Sequence, residues 1–129
     1  MKTIWITGGS TGIGFATAKK FLDNNWKVII SARNNENLIN AKNKLLNNSA
    51  NNNLYLYQCD ISKRDQVNKT IEAITKEIGN INIALLNAAA YSPNKNQNFS
   101  IDNYEKLIDV NLKGTLYCIE ILIENMQGD

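Results

Sequence analysis

Residues 7–14 read TGGSTGIG, with glycines at Gly8, Gly12 and Gly14 in a Gly-x-x-x-Gly-x-Gly spacing. Glycine has two physical uses in such a stretch. It takes up positive φ in a tight turn, and it lets an anion approach bare backbone. If a helix begins here, its free N–H groups and partial positive charge face that anion. Ser10 and Thr11 would add hydroxyl donors, and Gly14 would let the helix sit close to a sheet. The chemistry implied is the holding of a pyrophosphate. The plainer alternative is a tight strand-to-helix turn that binds nothing. Position favours binding, because the motif follows a first strand and opens a helix.

A second candidate lies in residues 29–38, IISARNNENL, where Ala32 and Arg33 close an apolar run. An NAD site wants a carboxylate here for the ribose 2′-hydroxyl, whereas an NADP site wants positive charge and no carboxylate. Arg33 can grip a 2′-phosphate through paired hydrogen bonds. The expected cofactor is therefore NADP(H), with NAD(H) as the lesser option. A solvated surface arginine is the competing reading.

Tyr91 and Lys95 stand four residues apart in YSPNK. A tyrosine with a pKa of about 10 needs a nearby ammonium to act as an acid near neutrality. A helix brings residues four apart onto one face. Pro93 works against that, because it lacks an N–H and biases Ser92 away from helical backbone. Tyr91 and Lys95 thus read as loop residues. Tyr55 and Tyr57 alternate in a strand, Tyr104 has its lysine only two residues on at Lys106, and Tyr117 meets Ile121 four residues on. No catalytic tyrosine–lysine pair is found.

Histidine is absent, and the two cysteines, Cys59 and Cys118, lack a Cys-x-x-Cys spacing. That argues against a zinc site and against any histidine-activated nucleophile. No metal is expected.

The elements that must position these residues follow from pattern. Short apolar runs at 2–7, 26–32, 53–60 and 81–88 read as strands. Amphipathic segments at 12–25, 35–48 and 62–80 read as helices, with Ser62 as the N-cap of the third and Gly79 just past its end. A fourth, long helix starts near Ser100, and its stripe Leu107, Ile108, Leu116, Ile119, Leu122 and Ile123 reads most simply as core. Strands alternating with helices predict a parallel sheet with right-handed crossovers. The 129 residues suffice for one modest domain, and no second domain, linker or repeat is visible. A hydrophobic share of 43% marks a globular chain. Fourteen basic against 12 acidic residues leave only +2, too balanced for a nucleic-acid or membrane surface. The 22 asparagines cluster between patterned segments, as loop filler. No leader pattern or spanning run is visible, so a cytoplasmic setting with reduced thiols is expected.

The glycine loop with its preceding Thr7 closely resembles the Thr-Gly-x-x-x-Gly-Ile-Gly loop of the short-chain dehydrogenases/reductases, a match that includes Ile13. CDIS at the third strand's end resembles that family's adenine-contacting Asp-Ile, here Asp60 and Ile61. Residues 86–89, LNAA, resemble its Asn-Asn-Ala-Gly, with Leu86 and Ala89 as departures and Asn87 and Ala88 retained. DVNLKGT resembles the segment carrying its catalytic asparagine, here Asn111. The resemblance covers the whole chain.

It implies an α/β, Rossmann-like, doubly wound parallel sheet that is incomplete, four strands of a larger sheet in the order 3-2-1-4. Residues 1–129 would be the N-terminal part of one dinucleotide-binding domain. It implies that Gly8, Ser10, Thr11, Gly12, Ile13, Gly14, Arg33, Asp60, Ile61, Asn87, Ala88 and Ala89 hold the cofactor. Asn111 would bind a water at a helix bulge and relay protons to the catalytic lysine. The family's serine, tyrosine and lysine would lie past residue 129, so the chain alone is expected to be inactive. The implied reaction moves hydride between nicotinamide and a small carbonyl or alcohol substrate. No nucleic-acid or membrane partner is implied, and the full-length protein is expected to form a homo-oligomer, in which part of the last helix's apolar stripe would pack against its twin. The competing classes are a non-catalytic NADP(H)-binding module, a degenerate remnant and, with weaker motifs, a sugar-nucleotide epimerase.

Overall fold

The computed structural model describes residues 1–47, 52–92 and 99–126. Four strands, β1 (Thr3–Thr7), β2 (Lys27–Ala32), β3 (Leu54–Gln58) and β4 (Ile83–Leu86), pair in parallel in the order β3-β2-β1-β4. Helices α1 (Gly12–Asp23), α2 (Asn35–Leu46) and α3 (Arg64–Glu77) alternate with them. The expected element order and strand order are both found.

The pleat divides the apolar residues between two layers, since successive side chains point to opposite faces. Ile4, Ile6, Val28 and Ile30 pack with Ala18 and Leu22 of α1 and Leu38 and Ala41 of α2. Trp5 and Ile29 pack on the other face with Val67, Ile71 and Ile74 of α3. Both faces are thus covered, which is why these strands read as unbroken apolar runs rather than as alternation. The registers Thr7↔Ser31, Thr7↔Leu86 and Ala32↔Gln58 bring the four strand C-termini to one edge. The turns from β1, β2 and β3 into their helices open there, where open α/β sheets bind ligands.

The third helix starts later than its sequence suggests. Lys63 is the N-cap, because Ser62 is already committed: its N–H and hydroxyl both donate to Asp60 Oδ1, at 3.0 and 2.7 Å. A short polar side chain two residues upstream outcompetes capping by closing its own turn. Gly79 ends the helix as expected, at φ +114° with its N–H donating to Ile74 O.

The long final helix is interrupted. α4 (Ile101–Ile108), capped by Ser100, runs into a π-helical segment, Asp109–Gly114, before α5 (Thr115–Asn125). Cys118, Ile121 and Leu122 of α5 join the Trp5 layer. The stripe expected to be core is mostly not: Ile108, Leu116, Ile119 and Ile123 are exposed, Ile123 at 73%. β4 is an edge strand with no second partner among the described residues. Its residues Ala84 and Leu86 form an apolar groove with Ile119, Leu122, Ile123 and Met126. Helical spacing sets which residues share a stripe, but not whether anything lies across from it. No described helix is long and apolar enough to cross a membrane.

Candidate functional site

A cleft of about 200 Å³ opens at the C-terminal edge of the sheet. Gly8, Ser10 and Thr11 form one wall, Ala32, Arg33, Asn34 and Asn37 another, and Cys59, Ile61, Ala88, Ala89 and Val110 complete it. Residues from all four strand ends therefore meet in one place, although they are spread over a hundred positions of chain.

The glycine loop is shaped by backbone contact. Gly8 has φ +65°, and a Cβ there would come 2.8 Å from Ala88 Cα. A Cβ on Gly14 would lie 2.5 Å from Gly8 O and 2.7 Å from Asn87 Nδ2. The loop is thus folded under the start of α1 with no room for a methyl. Thr11 is the N-cap of α1 but makes no side-chain cap hydrogen bond, and the first turn holds no acidic residue. The positive helix end is left uncompensated beside Ser10 and Thr11, which suits an anion.

Asn87 works from behind this loop. Its Nδ2 donates to Thr7 O at 3.3 Å and to Gly8 O at 3.1 Å. Thr7 Oγ1 in turn accepts from Asn87 N–H at 3.0 Å and Ala88 N–H at 3.1 Å. The pair staples β1 to the segment after β4. Asn87 Nδ2 is committed to the loop backbone, and Asn87 is not among the residues that line the cleft. Thr7, which the sequence offers only as the first residue of the glycine motif, is the hub of this staple. Replacing it with valine keeps the volume and removes the acceptor. Ala88 N–H then loses its partner, and we expect a loss of about 1–3 kcal/mol, because a donor stranded out of water keeps its desolvation cost. Urea unfolding with an unchanged midpoint would contradict this.

The second wall is positive. Arg33 is exposed, lines the cleft, and is fixed at its backbone by Gln58 Nε2 donating to Arg33 O at 2.9 Å. Ala32 occupies the position where a carboxylate would sit, and among the described residues no acidic one lines the cleft. Asn34 Oδ1 accepts Asn37 N–H at 3.0 Å, which caps α2. Asn34, Asn37 and Ser31 line the cleft without having been singled out in the sequence. Only the meeting of β2 with the glycine loop reveals them.

The apolar floor holds one thiol. Cys59 is buried, and that burial pushes its pKa up, against a smaller lowering by a hydrogen bond with Thr70. It stays protonated at neutral pH and is no nucleophile. Ile61 covers Gly114, where a Cβ would lie 2.8 Å from the isoleucine Cδ1, so the π segment packs directly on the cleft floor. Asp60 does not line the cleft, its carboxylate being held in the Ser62 turn. Ala89 lines it without backbone strain, because Asn25 is the only described non-glycine residue with positive φ.

The remaining expected residues lie around this cleft. Gly12, at φ +55°, opens on an adjoining groove with Ser10, Thr11, Asn37 and Lys44. The Ile13 side chain is 76% exposed. Asn111 sits in the π segment and pairs with one backbone residue at both ends of its amide: Oδ1 accepts Ala90 N–H at 2.7 Å, and Nδ2 donates to Ala90 O at 2.9 Å. It thereby anchors the chain leaving β4 against the last helix. Tyr91 follows in an exposed loop, while Pro93 and Lys95 lie outside the described residues.

Comparison with known proteins gives one answer. The family model described as short chain dehydrogenase matches residues 2–129. An uncharacterized oxidoreductase of Staphylococcus aureus strain MW2 is 29% identical over 121 residues, which are 94% of this chain and 51% of that one. A short chain dehydrogenase from Bacillus anthracis superposes with TM-score 0.87 at 30% identity, covering 95% of this chain and 50% of that one. A variant of ElxO with NADPH bound superposes with TM-score 0.85 at 31% identity, covering 97% and 50%. The chain spans about half the length of such relatives.

Proposed function

The chain belongs to the short-chain dehydrogenase family, and from that premise we propose that its cleft is the NADP(H) site of an oxidoreductase acting on a small carbonyl or alcohol. The observation that carries this reading is the pairing of an uncompensated α1 N-terminus with a second wall that offers Arg33 and no carboxylate. The cradle under Gly8 and Gly14, which a Cβ would fill, suits a pyrophosphate drawn close to backbone. Ser10, Thr11 and the first N–H groups of α1 would hold the pyrophosphate, Arg33 the 2′-phosphate, and Ile61, Ala88 and Val110 the apolar side of the adenosine. ElxO, described with NADPH bound, supports the choice of cofactor.

The nicotinamide, when bound, supplies hydride donation or acceptance; the protein binds, orients and excludes water. Asn111 keeps the loop after β4 in place through Ala90, so its proton-relay role in the whole protein would be built on that anchored backbone. Among the described tyrosines none stands on a helix with a lysine four residues on. These 129 residues by themselves are therefore expected to bind without turnover. The exposed stripe of Ile108, Leu116, Ile119 and Ile123 suits pairing of two copies in the whole protein.

The test is a pair of fluorescence titrations with NADPH and NADH. NADPH is expected to bind at least about tenfold more tightly, the effect of one charge-assisted phosphate contact. Equal or NADH-favoured affinity would overturn the cofactor assignment. Binding of neither would overturn the reading as a whole.

A further inference from the structure

We propose that Ser31, oriented by Trp5, donates a hydrogen bond to the adenosine half of the bound dinucleotide, an inference that rests on the dinucleotide reading above. Trp5 is fully buried in the central strand, an uncommon place for so large a side chain with a polar atom. A buried indole N–H needs an acceptor. It finds one on the next strand: Nε1–H donates to Ser31 Oγ at 3.1 Å, between two buried residues. The register explains the reach. Trp5 pairs with Ile29 and Thr7 with Ser31, so Trp5 and Ser31 are diagonal neighbours on the same face.

This contact fixes what the serine can do. Ser31 Oγ spends a lone pair on the indole, and its single proton is left to point elsewhere. Among the described residues that proton meets no acceptor. Ser31 is 1% exposed, yet it lines the cleft between Gly8 and Cys59. Its neighbours on that floor are Ile61, Ala88 and Val110 together with a thiol held protonated. An apolar floor with one aimed donor is how pockets orient a ligand. The matching acceptor is a purine ring nitrogen or a ribose oxygen, because Ser31 lies at the end of β2, two residues before Arg33 and on that side of the glycine loop. Serine is also a poor choice for a buried strand position if packing alone mattered.

The experiment measures binding of NADPH and of 2′,5′-ADP, which carries only the adenosine half, to the protein as its gene encodes it. Ser31→Ala is expected to weaken both ligands by the same factor, about three- to tenfold, as for one neutral hydrogen bond. Ser31→Thr should restore most of the loss. Trp5→Phe should weaken binding in the parent and add nothing in the Ser31→Ala background, since it acts only through the hydroxyl. Parent affinity of Ser31→Ala for both ligands, even with a lowered melting temperature, would show a purely structural pair and overturn the inference while leaving the cofactor reading intact. Loss for NADPH alone would place the contact in the other half and also overturn it. If the parent binds neither ligand, both readings fall. If Ser31→Ala does not fold, undiminished 2′,5′-ADP affinity of Trp5→Phe overturns the inference.

Discussion

Arg33→Ala is expected to weaken NADPH binding by about ten- to hundredfold while NADH stays within about twofold, from the loss of a charge-assisted contact. The backbone around Arg33 supports this asymmetry. Gln58 holds its carbonyl and Asn34 caps the following helix, so truncating the side chain should leave the wall standing. Arg33 is exposed and has no ion-pair partner among the described residues, so little folding stability is at stake. The lost energy would therefore be that of the phosphate contact. The contact sits near solvent and should also weaken as salt rises, because exposed charges are screened over about 10 Å at 0.1 M. Equal losses for both cofactors would mean that Arg33 shapes the site rather than reading the phosphate. Arg33→Lys should recover only part of the preference, since an ammonium cannot make the paired contact of a guanidinium.

Gly14→Ala is expected to be the more damaging change to the site as a whole. The added methyl would meet Gly8 O at 2.5 Å, Asn87 Nδ2 at 2.7 Å and Gly9 Cα at 3.0 Å. Two of these are backbone, which cannot swing aside, and the third is the amide that staples the loop. Relief requires α1 to lift from the loop. Overpacking of this kind costs about 1–3 kcal/mol, and lifting the helix moves its N-terminus away from the pyrophosphate. We expect both a lower urea midpoint and at least about tenfold weaker NADPH binding, on the scale of 1.4 kcal/mol per decade. By contrast, the position of Gly12 is open, with nothing within 4 Å of an added Cβ, and only its φ of +55° disfavours a side chain. Gly12→Ala should therefore be the milder variant. Equal tolerance of the two substitutions in thermal melts would refute the packing argument.

Much of this was legible in the sequence because it is written in local spacing. The order of strands and helices follows from runs and periods of a few residues. The glycine loop, Arg33 after Ala32 and the motif at Asn87 are contiguous words at strand ends, and parallel topology carries strand ends to one edge. Gly8, Ser10, Thr11, Arg33, Ile61, Ala88 and Ala89 accordingly line one cleft at that edge.

What the sequence left open depends on partners far away along the chain. Thr7 and Asn87 are stapled across 80 positions and Trp5 and Ser31 across 26, and no local pattern announces either pair. Nothing local to their motifs tells that Asn87 Nδ2 donates to the Thr7 and Gly8 carbonyls, or that the Asn111 amide pairs with both polar atoms of Ala90. Ser62 looks like a cap, yet Asp60 takes it first. The stripe on the last helix has the period of core, but period fixes only a face. Whether that face is covered depends on what stands opposite, and in these residues most of it meets solvent. Periodicity and local turn chemistry act within one element, so sequence determines them directly. Hydrogen-bond partnership and burial belong to pairs of elements, and only the assembled sheet and helices decide them.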